Sequence, residues 1–324
     1  MGIDLQREMH YTERKKERKN AMKQVNVGGR NLPAIIQGCM RIGGFSEEQL
    51  EGLIQTQLDL GINYWDHADI YGQGTCEELF GNVLSRNPGL REKLILQSKC
   101  GIRVGRYDFS KDYILESVDG ILSRLKTDRL DYLLLHRPDL LMEPEEVAEA
   151  FDRLSQAGKV LHFGVSNHTP SQIQLLKTCV RQPLEINQIQ LSLAHTLVLD
   201  GPAYFNTTDV RGICRDEGIL DYCRMEGITI QCYSPFQYGA FEGTFLGNPD
   251  YRELNRELER LAEKYDTTTN GIAVAWLLRH PANMQVVVGT TNPRRAPGIA
   301  QGADIVLTRE EWYSLYRAAG NILP

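Results

Sequence analysis

Long hydrophobic runs are missing from this sequence. Nothing in its 324 residues approaches the ~20 consecutive apolar positions of a membrane-spanning helix, and apolar stretches such as Tyr132 to Leu135 have the length of buried strands. Paired cysteines are missing too. The seven cysteines stand scattered at 39, 76, 100, 179, 214, 223 and 232, none in a C-x-x-C pair. Neither a disulfide framework nor a zinc ribbon is expected, and reduced thiols in a cytoplasmic protein are the simplest reading. Positive charge is not in excess. The net charge of −6 argues against a broad nucleic-acid surface. The N-terminal stretch lacks the apolar segment of a secretory signal, and Gln6 stands where a myristoylation signal needs Ser or Thr. One local excess exists: residues 7–23 hold seven Lys/Arg against three Glu. Residues 1–23 read as a charged, solvated extension. No linker, low-complexity tract or repeat divides the remainder, so residues 24–324 read as a single domain.

What is present is an alternation. Gln24–Val27 and Asn31–Pro33 flank the turn signal Gly28-Gly29-Arg30, predicting a hairpin. Strand-like runs then follow at Ala34–Gly38, Asn63–Ala68, Leu94–Lys99, Leu130–His136, Leu161–Ser166, Leu184–Gln190, Thr229–Ser234 and Gln285–Gly289. Helix-like stretches separate them. Ser46-Glu47-Glu48-Gln49 and Thr75-Cys76-Glu77-Glu78 open two of these, each with a hydroxyl cap and acids in the first turn. Ser110–Leu125 carries apolar residues at Ile114, Val118, Ile121, Leu122 and Leu125, the spacing of one helix face. Pro144–Ala157, Ser171–Val180, Arg215–Glu226, Asp250–Tyr265, Thr267–Arg279 and a stretch from Thr308 continue the series. Eight strands joined through helices predict an α/β fold of the (β/α)8 TIM-barrel type. A doubly wound open sheet is the alternative, but Gly38-Cys39-Met40-Arg41-Ile42-Gly43-Gly44 after the first strand does not match G-x-G-x-x-G. Two long connections, Ser192–Cys214 after the sixth strand and Phe236–Asn248 after the seventh, are expected to serve function.

A barrel concentrates chemistry at the C-terminal ends of its strands. The second strand ends in Trp65-Asp66-His67-Ala68-Asp69-Ile70-Tyr71, the third in Lys99 and the fourth in His136. Asp66 and His67 cannot share a metal, because successive strand residues point to opposite faces; Trp65 then faces the outer helices. Asp66 can hold Lys99 as a cation, and a cation beside Tyr71 is expected to lower the phenol from its ordinary value of about 10. Such a phenol can exchange a proton with a substrate, and His136 can orient a substrate oxygen. These residues describe a carbonyl or alcohol site that needs a hydride.

At this point the chain resembles the aldo-keto reductases. The resemblance rests on Asp66-His67-Ala68-Asp69-Ile70-Tyr71, Lys99, Leu135-His136-Arg137-Pro138 and Gly164-Val165-Ser166-Asn167, in that order, and covers the chain from about Gln24 onward. Ser234–Gly239 and Val288–Pro293 look most like a bacterial and fungal branch of oxidoreductases. The resemblance implies reduction of an aldehyde or ketone with NADP(H) bound without a Rossmann fold. It makes Tyr71 the general acid, Lys99 and Asp66 its tuning pair, and His136 the carbonyl-positioning group. It implies that Ser166, Asn167 and Gln188 hold the nicotinamide carboxamide and that Tyr233 stacks on the ring. Met40 and Arg41 would lie near the ribose, and Ser234 and Phe236 near the pyrophosphate. Thr290, Asn292 and Arg295 would serve the adenosine 2′-phosphate end, and Gly289 would be a further cofactor contact. Pro297-Gly298 departs from the regular helix the family has there. His195, Tyr204, Phe205, Tyr238 and Phe241 are candidates for an apolar substrate wall. The expected partner is a small carbonyl or alcohol, with no nucleic acid and no membrane, on a monomer or weak homo-oligomer. The same site could run in reverse as an alcohol or sugar dehydrogenase, or serve a cofactor-binding regulatory subunit like those of potassium channels.

Overall fold

The structure, a computed structural model, describes residues 22–239 and 242–323. Almost all of the charged extension, and Phe241, lie outside the described residues. Strands β1 (Gln24–Val27) and β2 (Arg30–Pro33) form the expected antiparallel hairpin. Eight further strands are β3 (Ile35–Gly38), β4 (Tyr64–Asp66), β5 (Ile95–Cys100), β8 (Leu130–Leu135), β9 (Val160–Ser166), β10 (Leu184–Gln190), β11 (Thr229–Tyr233) and β12 (Met284–Val288). They close into a parallel barrel in chain order, with β12 pairing back onto β3. Between β5 and β8 sits a second hairpin, β6 (Ile102–Arg103) with β7 (Arg106–Tyr107). Residue pattern does not mark it, because strands of two residues are too short to show alternation.

Alternation sorts the barrel residues into two cores. Ile36, Tyr64, Tyr132, Leu134, Ile186 and Val287 point inward and meet Val25, Val27 and Leu32 of the first hairpin, which closes the N-terminal end. Ile35, Trp65, Leu96, Leu133 and Val165 point outward into the larger core beneath the helices. Trp65 lies against Phe80 of helix Thr75–Arg86, with ring centroids 5.2 Å apart. Two helix starts follow their caps: Ser46 and Gln49 complete a capping box on Glu47–Asp59, and Thr308 and Glu311 complete one on Arg309–Ala318. The helix expected to be capped by Thr75 instead has Thr75 as its first residue, after a left-handed Gly74 and with no side-chain cap. Among the described residues, no helix is long and apolar enough to cross a membrane.

Three local expectations change. The long connection after β10 contains a helix, Leu197–Ala203, tied down where Tyr316 donates to Asp200 Oδ1 at 2.8 Å. Gly201 and Pro202 hid it from a propensity reading. The helix expected over Arg215–Glu226 begins at Ile219, after Gly218 in a left-handed conformation. Pro297 and Gly298 do not break their helix. A 3-10 turn, Pro293–Arg295, precedes helix Ala296–Gly302, which puts Pro297 in the first turn, where its missing N–H has no helical partner to lose. Gly298 and Gly302 let this helix lie against Gly271 of helix Thr269–Arg279: a Cβ on Gly302 would stand 2.3 Å from the Gly271 carbonyl oxygen. Gly302→Val is therefore expected to force the helices apart and destabilise the fold by about 2–3 kcal/mol, the upper end of overpacking costs. A urea midpoint equal to wild type would contradict the contact.

Candidate active site

Residues at the ends of β4, β5 and β8 converge at one mouth of the barrel. Lys99, fully buried on β5, donates to Asp66 Oδ1 at 2.7 Å, to the His67 carbonyl at 2.7 Å and to the Tyr71 hydroxyl at 3.2 Å. The chain beyond β4 turns sharply to bring Tyr71 back. The Tyr71 N–H donates to the Ala68 carbonyl at 3.0 Å, and Gly72 and Gln73 then take left-handed conformations with φ of 57° each. A Cβ on Gly72 would also lie 2.5 Å from Thr75 Oγ1, so glycine suits both the turn and the space. The His136 imidazole stands edge-on to the Tyr71 ring at 6.1 Å. His67 lies on the other face of the strand, edge-on to Phe80 at 4.6 Å, so the alternation that separates it from Asp66 is visible directly.

The electrostatics correct one expectation. Burial pushes the Tyr71 phenol up to about 12; Lys99 pulls it down and Asp66 pushes it up. The cation limits the rise rather than bringing the phenol below its ordinary value. Burial also works against the charge of Lys99, but Asp66 and Tyr71 outweigh it and its pKa is raised. Burial, Lys99 and Arg137 hold His136 well below the ordinary histidine range, so its ring is neutral and carries a single N–H. Among the described residues its buried Nδ1 has no partner.

A second group sits beside the first on β9, β10 and β11. Ser166 Oγ donates to the Gln188 backbone carbonyl at 2.8 Å. Asn167, left-handed at φ 59°, donates to Ser166 Oγ at 2.9 Å and accepts from the Tyr233 hydroxyl at 3.0 Å. Arg137 donates weakly to the same hydroxyl at 3.4 Å. Gln188 spends its amide on Asp66 Oδ1 at 3.1 Å and on Gln231 Oε1 at 3.0 Å, leaving its carbonyl oxygen as the group it can offer a ligand.

The remaining predicted residues lie in loops at the same end of the strands. The loops after β3 and β12 face each other: a Cβ on Gly289 would have only Arg41 Nη1 nearby, at 4.0 Å, and Gln37 donates to the Thr290 carbonyl at 3.3 Å. Met40 and Arg295 are exposed. Asn292 already uses its side-chain oxygen to accept from the Arg294 N–H at 3.0 Å. Ser234 is left-handed at φ 52°, and the Phe236 carbonyl accepts from Thr244 Oγ1 at 2.8 Å.

The aromatic wall does not assemble as expected. Tyr204 is buried beneath the C-terminal tail, its hydroxyl accepting from the Ile322 N–H at 2.6 Å. Phe205 is 79% exposed, and Tyr238 stacks on Tyr251 at 5.4 Å. Residue spacing within a loop cannot tell a pocket wall from an internal tether. Sequence reading also missed the side chains behind Asp66: Gln97 Nε2 donates to Asp66 Oδ1 at 2.5 Å. The signal was available, since Gln97 lies two positions before Lys99 on the same inward face.

The model of the Aldo/keto reductase family matches residues 34–319. Oxidoreductase YdhF of Escherichia coli is 36% identical over 304 residues, covering 90% of this chain and 95% of that protein. A 6-dehydroglucose reductase of Agrobacterium fabrum is 34% identical over 302 residues, covering 89% of this chain and 94% of that one. A crystal structure of an aldo-keto reductase from Klebsiella pneumoniae in complex with NADPH superposes with a TM-score of 0.72 at 26% identity, covering 92% of this chain and 95% of that chain.

Proposed function

The chain belongs to the aldo/keto reductase family, and from that premise we propose that it reduces an aldehyde or ketone to the alcohol, with NADPH as cofactor and Tyr71 as proton donor. One observation carries the reading: the Tyr71 hydroxyl stands 3.2 Å from the buried ammonium of Lys99, which Asp66 holds in turn. Tyr71 is fully protonated at neutral pH, which suits an acid. The phenolate left after proton donation has a cation in place to receive it, and that favours the step. The neutral His136 ring can donate its N–H to the carbonyl oxygen and hold it toward the phenol.

The residues of the second group fit the cofactor. The Gln188 carbonyl can accept from a carboxamide N–H, Ser166 and Asn167 line the same spot, and Tyr233 offers an aromatic face anchored through its hydroxyl. Met40, Arg41, Ser234, Phe236 and Gly289 would flank the ribose and pyrophosphate. Thr290, Asn292 and Arg295 would meet the 2′-phosphate, where a guanidinium can make paired hydrogen bonds. NADPH supplies the hydride when bound. The NADPH complex of the Klebsiella enzyme supports this choice of cofactor, and the Agrobacterium fabrum relative named 6-dehydroglucose reductase supports a small sugar-derived carbonyl compound as substrate.

The test is loss of NADPH absorbance with 4-nitrobenzaldehyde as acceptor. Wild type is expected to turn over, and Tyr71→Phe to lose roughly a hundredfold or more, the scale of a general acid, while NADPH binding followed by fluorescence stays within about twofold because the ring is kept. Wild-type turnover by Tyr71→Phe would show that another group delivers the proton.

A further inference from the structure

Below the catalytic mouth the barrel interior is not apolar throughout. Gln97, Gln188, Gln231 and Gln285 are buried there with Tyr64, and their amides form one directed column. Asp66 Oδ1 accepts from Lys99, from Gln97 Nε2 at 2.5 Å and from Gln188 Nε2 at 3.1 Å. The same two amide nitrogens donate to Gln231 Oε1, at 2.9 Å from Gln97 and 3.0 Å from Gln188. Gln231 then donates to Gln285 Oε1 at 3.1 Å, and Gln285 to the Pro33 carbonyl at 2.7 Å, on the hairpin that closes the barrel floor. Tyr64 fixes the orientation of Gln97 by donating to its Oε1 at 2.9 Å.

The direction of this column is not arbitrary. A carboxylate only accepts, so Gln97 and Gln188 must turn their NH2 groups toward Asp66. Gln231 must then turn its oxygen toward them and its NH2 toward Gln285. Among the described residues the Tyr64 hydroxyl is the one donor to the Gln97 oxygen. Reversing any one amide would set oxygen against oxygen in a buried site, which is costly.

We propose that Gln97, oriented by Tyr64 and Gln231, is a positioning residue for proton transfer by Tyr71. It touches neither the phenol nor the substrate. It holds Asp66 in the place and form that bind Lys99, and Lys99 is the cation that receives the charge developing on Tyr71. The inference rests on the proton-donor role proposed above, so Tyr71→Phe is run beside it. Full activity of Tyr71→Phe would sink that role itself, whatever Gln97 does.

The experiment is stopped-flow single-turnover oxidation of enzyme-bound NADPH by saturating 4-nitrobenzaldehyde. It separates a rate constant from an amplitude. Gln97→Met keeps the length and removes the donor; its rate constant is expected to fall about tenfold or more, the size of a lost hydrogen bond to a charged group, at wild-type amplitude. Gln97→Glu keeps the shape. Protonated, it can still donate to Asp66; ionised, it faces a second carboxylate. Its rate constant is expected to approach wild type at low pH and to fall as pH rises, a dependence absent from Gln97→Met. A lower amplitude with an unchanged rate constant would make Gln97 a structural residue only and overturn the proposal. So would a Gln97→Glu variant whose rate tracks wild type at every pH. Should Gln97→Met fail to fold, Tyr64→Phe removes only the hydroxyl that orients the amide and carries the same expectation: a lower rate constant at full amplitude, with an unchanged rate constant overturning it.

Discussion

Lys99→Met is expected to abolish turnover and to destabilise the fold at once. The two losses have different origins. The ammonium is the only cation hydrogen-bonded to Tyr71 among the described residues, so its removal leaves the developing phenolate uncompensated in a buried site. The expected rate loss is at least about a hundredfold. Stability falls because Asp66 stays behind, buried, with the Gln97 and Gln188 amides as its remaining donors. Breaking a buried pair by deleting one partner typically costs about 3–5 kcal/mol. The double variant Lys99→Met/Asp66→Leu removes the stranded charge as well and is expected to recover much of that stability while staying inactive. Urea midpoints and NADPH oxidation on the single and double variants separate the effects. A Lys99→Met protein as stable as wild type would mean that the amides alone satisfy Asp66. The buried pair would then serve catalysis without holding the fold.

The barrel was legible because strands covered on both faces leave apolar runs of fixed length, and eight such runs alternate with capped helical stretches. The residues at the mouth were legible because a lysine and a histidine at the ends of such runs need partners. Their environment was not. The rise of Tyr71 to about 12 comes first from burial, and burial at a loop residue depends on the turn through Gly72 and Gln73, which spacing does not reveal. The glutamine column could have been read, since Gln97 and Lys99 share one face and Gln188 pairs in register with Gln231 across β10 and β11. Each glutamine alone looks like an ordinary polar strand residue. Only the closure of the sheet brings the amides of four strands into one column, with Gln97 and Gln188 on the Asp66 carboxylate. Tyr204 failed in the opposite sense: an aromatic in a long loop suggested a substrate wall, but a contact with Ile322, far along the chain, claims its hydroxyl.

Acid should unfold this protein earlier than its carboxylates alone would suggest. Five of the described histidines are lowered mainly by burial: His67 to about 3, His168 and His280 to about 4, His136 well below the ordinary range, and the partly buried His195 below its ordinary value. In the unfolded chain each binds a proton near pH 6.5. Between that pH and the folded values the unfolded state therefore holds more protons, and stability falls as pH falls, by up to about 1.4 kcal/mol per unit for each fully buried histidine. Asp69 acts with the opposite sign. Burial and the nearby Glu77 raise it to about 7, so the folded state takes up that proton first and gains stability over the same window. It offsets roughly one histidine. Burial raises Glu77 as well, so it acts in the same direction as Asp69, and His280 and His195 are only partly buried and count for less, which leaves a net loss on the order of 2 kcal/mol per pH unit as pH drops from about 6 to 5. Urea midpoints at pH 6 and pH 5 measure it. His67→Leu isolates one share: neither ring nitrogen of His67 has a partner among the described residues, and the ring packs on Phe80, so an apolar side chain gives up no hydrogen bond. The variant should lose less stability between the two pH values than wild type does. Equal midpoints at the two pH values in wild type would mean that these imidazoles find protons or partners that the static packing does not show.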